Sequence, residues 1–372
     1  MNFLIDNAGF VNKGAELMLR SVIEKTKEKF PGRTCIVTPH SVGGIYSQAI
    51  GEGLYIYQKS KILKYLPEKL LKKVYFVKPS QVDMLLDAGG FQFGDQWAAM
   101  FTKESNERAR SYYKTLKDGG AKLVFLPQAF GPFTNAHAIE RMQIVFEYAD
   151  ILFAREKISY DYLIKLFGES PKIVLKPDFT NLIKPKVPLV QFIENKRYVC
   201  VVPNRKMISD TSKEVSEGYV AFLTQMCQFF IDQGEELILL NHEGKGDEDI
   251  INKIRPQLSK EVLMLTDLNA LEVKAIIGKT KLLISSRFHG VVSGLSQGVC
   301  TFATGWSHKY PELLADYKVS ENLLDIMDVE TAKSKVGEAL KNANSIHHVK
   351  PEVIKSLEAK SNEMWDQVWK LK

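Results

Sequence analysis

Short, wholly apolar stretches recur along the chain, separated by helical patterns with one apolar face, and this alternation limits the fold more than any other feature. Asn2–Ile5, Thr34–Thr38, Asp83–Asp87, Lys122–Leu126, Ile151–Ala154 and Lys172–Leu175 read as strands. Between them, Gly14 to about Lys29 carries Ala15, Met18, Leu19, Val22 and Ile23 on one face, and the polar helix Lys103–Lys117 stops at Gly119-Gly120. A strand with one wet face alternates polar and apolar residues. A strand apolar throughout is covered on both faces, as in a parallel sheet flanked by crossover helices. Residues 181–197, with Pro185 and Pro188, have no period and predict a linker. The alternation then restarts, with strands at Tyr198–Val202, Glu236–Leu240, Val262–Leu265, Lys281–Ser285 and Val299–Ala303. Helices are expected at Ser212–Gln233, Asp247–Arg255, Asn269–Gly278 and His289–Gln297. A last helix follows Pro351, with Ile354, Leu357, Trp365, Val368 and Trp369 as its stripe. The expected fold is α/β, with two doubly wound Rossmann-like domains at 1–185 and 196–340 and a C-terminal helix at 350–372.

Composition narrows the class. At 372 residues the chain is long enough for two domains. Lys+Arg is 50 and Asp+Glu is 44, a net charge of +6, spread too evenly to suggest a nucleic-acid partner. Cys35, Cys200, Cys227 and Cys300 lie far apart with no Cys-x-x-Cys, which predicts reduced, buried thiols and neither a zinc site nor a disulfide framework. Phe3-Leu4-Ile5 ends at Asp6, too short for a signal peptide, and no apolar run approaches a membrane span. A soluble, cytoplasmic protein is expected. Between Lys59 and Lys78 lie seven lysines and one acid, Glu68, interleaved with apolar and aromatic residues. This segment reads either as a solvated helix packed on the N-terminal domain or as a peripheral contact with anionic membrane at its inner face.

Open α/β sheets bind ligands outside the carboxyl ends of their strands, so residues just after strands carry the chemistry. Asp6 to Glu16 links the first strand to the first helix through Gly9 and Gly14, without the G-x-G-x-x-G or Walker spacing. It serves equally as an anion-binding loop or as an ordinary capped turn. Asp87-Ala-Gly-Gly-Phe-Gln-Phe-Gly-Asp95 is a sugar-pocket wall or a tight glycine turn, and Leu126-Pro-Gln-Ala-Phe-Gly-Pro-Phe133 offers Gln128 as its one polar reader. Arg155, just past a strand, needs an anion or Glu156 to satisfy it. Arg205 and Lys206 follow another strand, and His242 a third. The sharpest cluster is Ser286-Arg287-Phe288-His289-Gly290, which turns a strand directly into a helix; His308-Lys309 follows the next strand. Guanidinium, imidazole and helix N–H groups at one point suit a phosphate or carboxylate.

These clusters, in this order, resemble the polysaccharide pyruvyl transferase family. The likeness rests on Gly14-Ala15-Glu16, the Asp87-x-Gly-Gly turn, Leu126-Pro-Gln-x-x-Gly-Pro, Arg155 with Ser159, Pro177-Asp178, Arg205, and above all Ser286-Arg-Phe-His289 followed by His308-Lys309. It spans about residues 3–320. Ala15 and Phe179 depart from the family's commoner Asp and Pro. The resemblance implies a GT-B-like fold with an interdomain cleft, and transfer of a pyruvyl group from phosphoenolpyruvate to a sugar or glycan as a cyclic ketal. It implies catalytic roles for Arg287 and His289, and donor binding by Arg205, Lys309, His308, Ser286 and Arg155. Hydrogen-bonding groups suited to an acceptor are Asn7, Asn12, Glu16, Gln128, Asp95 and His242. Asp6, Glu16, Asp87 and Asp95 are all candidates for a base. No cofactor and no metal are expected, phosphoenolpyruvate being a substrate. One alternative is a GT-B glycosyltransferase using a nucleotide sugar, whose diphosphate the cations would hold; another is a non-catalytic sugar-binding module, against which the number of cations argues.

Overall fold

The structure is a computed structural model that describes residues 1–39, 46–57, 66–185, 198–342 and 346–372. Its strands are β1 (Asn2–Asp6), β2 (Thr34–Val37), β3 (Tyr55–Tyr57), β4 (Phe76–Val77), β5 (Met84–Asp87), β6 (Lys122–Gln128), β7 (Ile151–Ala154) and β8 (Ile173–Leu175), then β9 (Val199–Val202), β10 (Leu237–Leu240), β11 (Leu263–Leu265), β12 (Leu282–Ser285) and β13 (Cys300–Ala303). The first eight form one sheet in the order β4-β3-β2-β1-β5-β6-β7-β8, and the last five a second in the order β11-β10-β9-β12-β13. Every described pairing within named strands is parallel, as the continuous apolar strands require.

Both orders reverse direction once. In the first sheet the chain steps outward from β1 to β4, then returns to the other side of β1 as β5. In the second it steps from β9 to β11, then returns beside β9 as β12. These reversals are topological switch points, where loops after adjacent strands diverge and leave room for a ligand. Register completes the placement. Asp6 lies opposite Asp87, and Ser285 opposite Val202, so the residues that follow these pairs emerge side by side.

The chain divides into two units, one made of residues 1–11, 18–179 and 360–372, the other of residues 12–17 and 180–359. In the first, Leu4, Leu85, Phe125, Leu152 and Met142 anchor a continuous core. The end of the Pro351–Lys370 helix belongs to this unit: Trp369 meets the rings of Phe3 and Phe30, and Trp365 meets Phe179. In the second, Val201, Leu239, Ile284 and Phe302 pack with Phe222, Met226 and Phe230 of the Lys213–Asp232 helix. All four cysteines are buried and free.

Strands β3 and β4 are too short to show a period in sequence. The strand expected to stop at Leu126 runs on to Gln128, and Pro127, which has no N–H to donate, falls where the register with β7 shifts between Phe125 and Gln128. Of the basic segment, Lys59, Lys61 and Lys64 lie outside the described residues, as do residues 186–197 of the expected linker. The described part forms the Glu68–Lys73 helix and β4. Leu71 and Val77 are buried, while Leu70 and Val74 are about half exposed. Among the described residues no helix is long and apolar enough to cross a membrane.

Candidate active site

The second switch point is built around the turn from β12 into the Phe288–Leu295 helix. Ser286 is fully buried, and four groups hold it. The Tyr219 hydroxyl donates to its Oγ (2.6 Å), Thr304 Oγ1 shares a hydrogen bond with the same atom (2.6 Å), and Asn204 Nδ2 and the Tyr310 hydroxyl donate to its carbonyl (2.7 Å each). Ser286 was expected on the donor side; the structure makes it the fixed floor of the turn. Glycine lets the helix sit close: a Cβ at Gly290 would lie 2.4 Å from Ser285 Oγ, and one at Gly294 2.3 Å from Thr301 Oγ1.

Arg287 leaves this turn at the helix N-cap. Its Nε and Nη2 donate to the two oxygens of Asp247 (2.8 and 2.5 Å), and Nη1 contacts Glu243. Asp247 is fully buried and also accepts from the Arg205 backbone N–H (2.9 Å). Burial pushes Asp247 up and Arg287 down to about 10, while the bidentate contact favours the ion pair. A guanidinium has five N–H donors, and these carboxylates take three, so two make no hydrogen bond among the described residues. Asp247, which the sequence suggested only as the start of a helix, is therefore the partner that orients Arg287. Nothing local reveals this, because the two residues are 40 positions apart.

The other cations differ in surroundings. The Arg205 side chain is exposed and its guanidinium makes no hydrogen bond or ion pair among the described residues; its stem lies over Gly246. Lys309 is buried, its ammonium 4.3 Å from the Trp306 ring centre and 5.5 Å from that of Phe288. His308 is half-buried at the N-cap of the Lys309–Asp316 helix. His289 is buried in the first turn of its helix, edge-on to Phe288. His242, expected on the acceptor side, belongs to this cluster. Burial first, then the charges of Arg287, His289 and Lys13, push its pKa well below the usual histidine value, so it is neutral at pH 7.

Residues 12–17 group with this unit. Asn12 Oδ1 accepts from the N–H groups of Gly14 (2.8 Å) and Ala15 (3.1 Å), capping the Lys13–Lys29 helix. Glu16 was expected to meet the acceptor. The structure buries it completely, with its carboxylate accepting from Lys13 Nζ (3.1 Å) and from the Ala270 N–H (3.3 Å) that opens the Ala270–Lys279 helix. It is an anchor at a helix N-terminus rather than a group open to a sugar.

The first sheet's switch point, in the other unit, carries a polar network. Asn7, in the left-handed region at φ 58°, donates Nδ2 to Asp87 Oδ2 (2.7 Å). Asp87 Oδ1 accepts from the Gly89 N–H (3.1 Å), Gln92 Nε2 (2.6 Å) and Gln128 Nε2 (3.2 Å). Asp6 accepts from Thr38 Oγ1 (3.0 Å) and the Tyr112 hydroxyl (2.7 Å). Burial, with the Asp6 charge beside it, pushes Asp87 up to about 7 against these donors. Gln128 is fully buried. Asp95 holds the Thr134 N–H (2.8 Å) and hydroxyl (2.6 Å), so it ties down the neighbouring loop. Arg155, expected with the donor groups, is buried in this unit. It pairs with Glu156 (3.2 Å) and Asp178 (3.4 Å), the internal partner that the sequence had left open. Among the described residues no group of three or more His, Cys, Asp or Glu gathers as a metal site.

Comparison with known proteins agrees with this architecture. The chain is similar over its full length to the Anabaena HepE protein in complex with UDP (11% identity, 98% of that chain covered, TM-score 0.61). It is also similar to the UDP-GlcNAc 2-epimerase from Neisseria meningitidis bound to UDP-GlcNAc (11% identity, both chains fully covered, TM-score 0.61). A third is a glycosyltransferase from Rickettsia africae (14% identity, 97% of that chain covered, TM-score 0.59). At such identities the likeness is one of fold: two parallel α/β sheets of the GT-B type. The sequence model of the family described as polysaccharide pyruvyl transferase matches residues 12–308, which contain the Arg205, Asp247 and Ser286–His289 cluster, and the chain belongs to that family.

Proposed function

We propose that the protein transfers a pyruvyl group from phosphoenolpyruvate to two hydroxyls of a sugar, in a polysaccharide or lipid-linked glycan, forming a cyclic ketal. The observation that carries this reading is the β9/β12 switch point, where Arg205, Arg287 and His289 follow adjacent parallel strands in a member of the pyruvyl transferase family. Phosphoenolpyruvate has two anionic groups, a carboxylate and a phosphate. The exposed Arg205 guanidinium, the two remaining donors of Arg287 and the Lys309 ammonium suit both. The chemistry balances without a redox partner. The C2–O bond to phosphate breaks, two C2–O bonds to the sugar form, and C3 takes up one proton and becomes a methyl group. One hydroxyl proton replaces the proton given to C3, and the other leaves with phosphate. His289 is the proton donor to C3, its imidazole being able to carry a proton and pass it on at the reacting carbon. Asp247 keeps the Arg287 fork aimed, so that binding does not have to order it first.

The test is incubation with phosphoenolpyruvate and sugar acceptors, following phosphate release and the new ketal methyl signal by NMR. In parallel, thermal shift compares phosphoenolpyruvate with UDP-sugars. Phosphoenolpyruvate should raise Tm. Arg205→Ala, which removes an exposed side chain and leaves the fold intact, should weaken its binding roughly 10- to 150-fold, the equivalent of losing about 1.5–3 kcal/mol of charge-assisted contact. Stabilisation by a UDP-sugar and not by phosphoenolpyruvate would replace this reading with a nucleotide-sugar enzyme.

A further inference from the structure

We infer that Gly14, in the first turn of the Lys13–Lys29 helix, is a positioning residue for the His289 imidazole, so that this N-terminal segment is a working part of the donor site. The inference rests on the reading of His289 as proton donor given above. A Cβ built on Gly14 would lie 2.4 Å from His289 Nδ1, 3.1 Å from its Cγ and 3.0 Å from Asn12 Oδ1. The first distance is far inside van der Waals contact, so either the helix start or the ring must yield. The helix start is held at three places. Asn12 caps the helix through Gly14 and Ala15, Glu16 is bound to the Ala270 N–H, and Leu17 packs with Ile183 and Ala270. His289 is buried, 275 residues further along the chain, and is joined to its backbone by two rotatable bonds. The ring therefore moves first. With glycine at 14, the backbone itself forms one wall of the imidazole's seat, and any side chain there rotates the ring away from its present place.

The adjacent Lys13 fits the same reading. Its ammonium, paired with Glu16 (3.1 Å), is still near enough to help lower the pKa of His242, so the segment borders this cluster at a second residue.

The experiment is a double-mutant cycle of Gly14→Ala and His289→Ala, read by three measurements. In the otherwise wild-type protein, Gly14→Ala should lower kcat on the order of 100-fold, the cost of an ångström-scale misplacement, with little change in KM for phosphoenolpyruvate. The His289 ring signals in a histidine-selective NMR spectrum should shift. The Tm penalty of Gly14→Ala should disappear in the His289→Ala background, where the added methyl group occupies space that the imidazole has left. Should Gly14→Ala fail to fold alone, recovery of a folded double variant gives the same answer. An equal Tm penalty in both backgrounds, unshifted His289 signals, or a double variant that also fails to fold would overturn the inference. Tm and NMR need no turnover, so they decide the role of Gly14 even if phosphoenolpyruvate is not the donor.

Discussion

Asp87 offers the most quantitative test of the electrostatics, through Asp87→Asn read against pH. The side chain is fully buried at the end of β5, opposite Asp6 and beneath Asn7 and Gln128. Tyr57, Tyr112 and Tyr113, which feel the charge on this pair of carboxylates, are held by burial well above their usual values and stay neutral. Burial and the Asp6 charge raise Asp87 from an ordinary 3.8 to about 7 in the folded protein. The sign follows by linkage. The native state keeps a proton that the unfolded chain has lost, so its contribution to stability is complete below pH 4 and is lost as pH rises through 7. Between pH 5 and pH 8 about two pH units of this slope are crossed, each worth 1.36 kcal/mol, which makes a loss of about 3 kcal/mol. For a unit of this size that corresponds to roughly 6–12 °C in Tm. Asparagine keeps the shape and does not titrate. The assay is thermal unfolding of both proteins at pH 5, 6, 7 and 8. The wild type should lose stability relative to the variant across this range, most steeply below pH 7. Other titrating groups cancel in the difference. Parallel profiles would refute the reasoning and show that the four N–H donors around Asp87 hold it ionised throughout.

Asp247→Ala should cost about 3–5 kcal/mol, because it leaves Arg287 buried with Glu243 alone and strands the Arg205 N–H; calorimetry showing less than about 1 kcal/mol would mean the pair contributes little. At the start of the basic segment's described part, Leu70 and Val74 stand half exposed among the exposed Lys69, Lys72 and Lys73. A lipid-facing role predicts co-sedimentation with anionic vesicles but not neutral ones, weakened by salt and abolished by replacing the three lysines with glutamate. Absence of binding at low salt would leave this face as ordinary solvated surface.

How far the sequence carried the description depends on the range of the interaction involved. Wholly apolar strands announced two parallel sheets, because burial on both faces is written residue by residue along each strand. The strand–Ser286-Arg287-Phe288-His289–helix turn was visible for the same reason, since a strand end, a helix start and two cations are adjacent in the chain. Strands β3 and β4 escaped because two or three residues carry no period. What only the tertiary structure decided is which groups meet. Arg287 finds Asp247 and Glu243, Glu16 turns inward to the Ala270 N–H, Arg155 pairs with Glu156 and Asp178, and Gly14 comes to lie against His289. Each outcome depends on strand order and on register, which set neighbours across a sheet. Charge and hydropathy along the chain state only that a buried cation must be neutralised, and strand order chooses the carboxylate that does it.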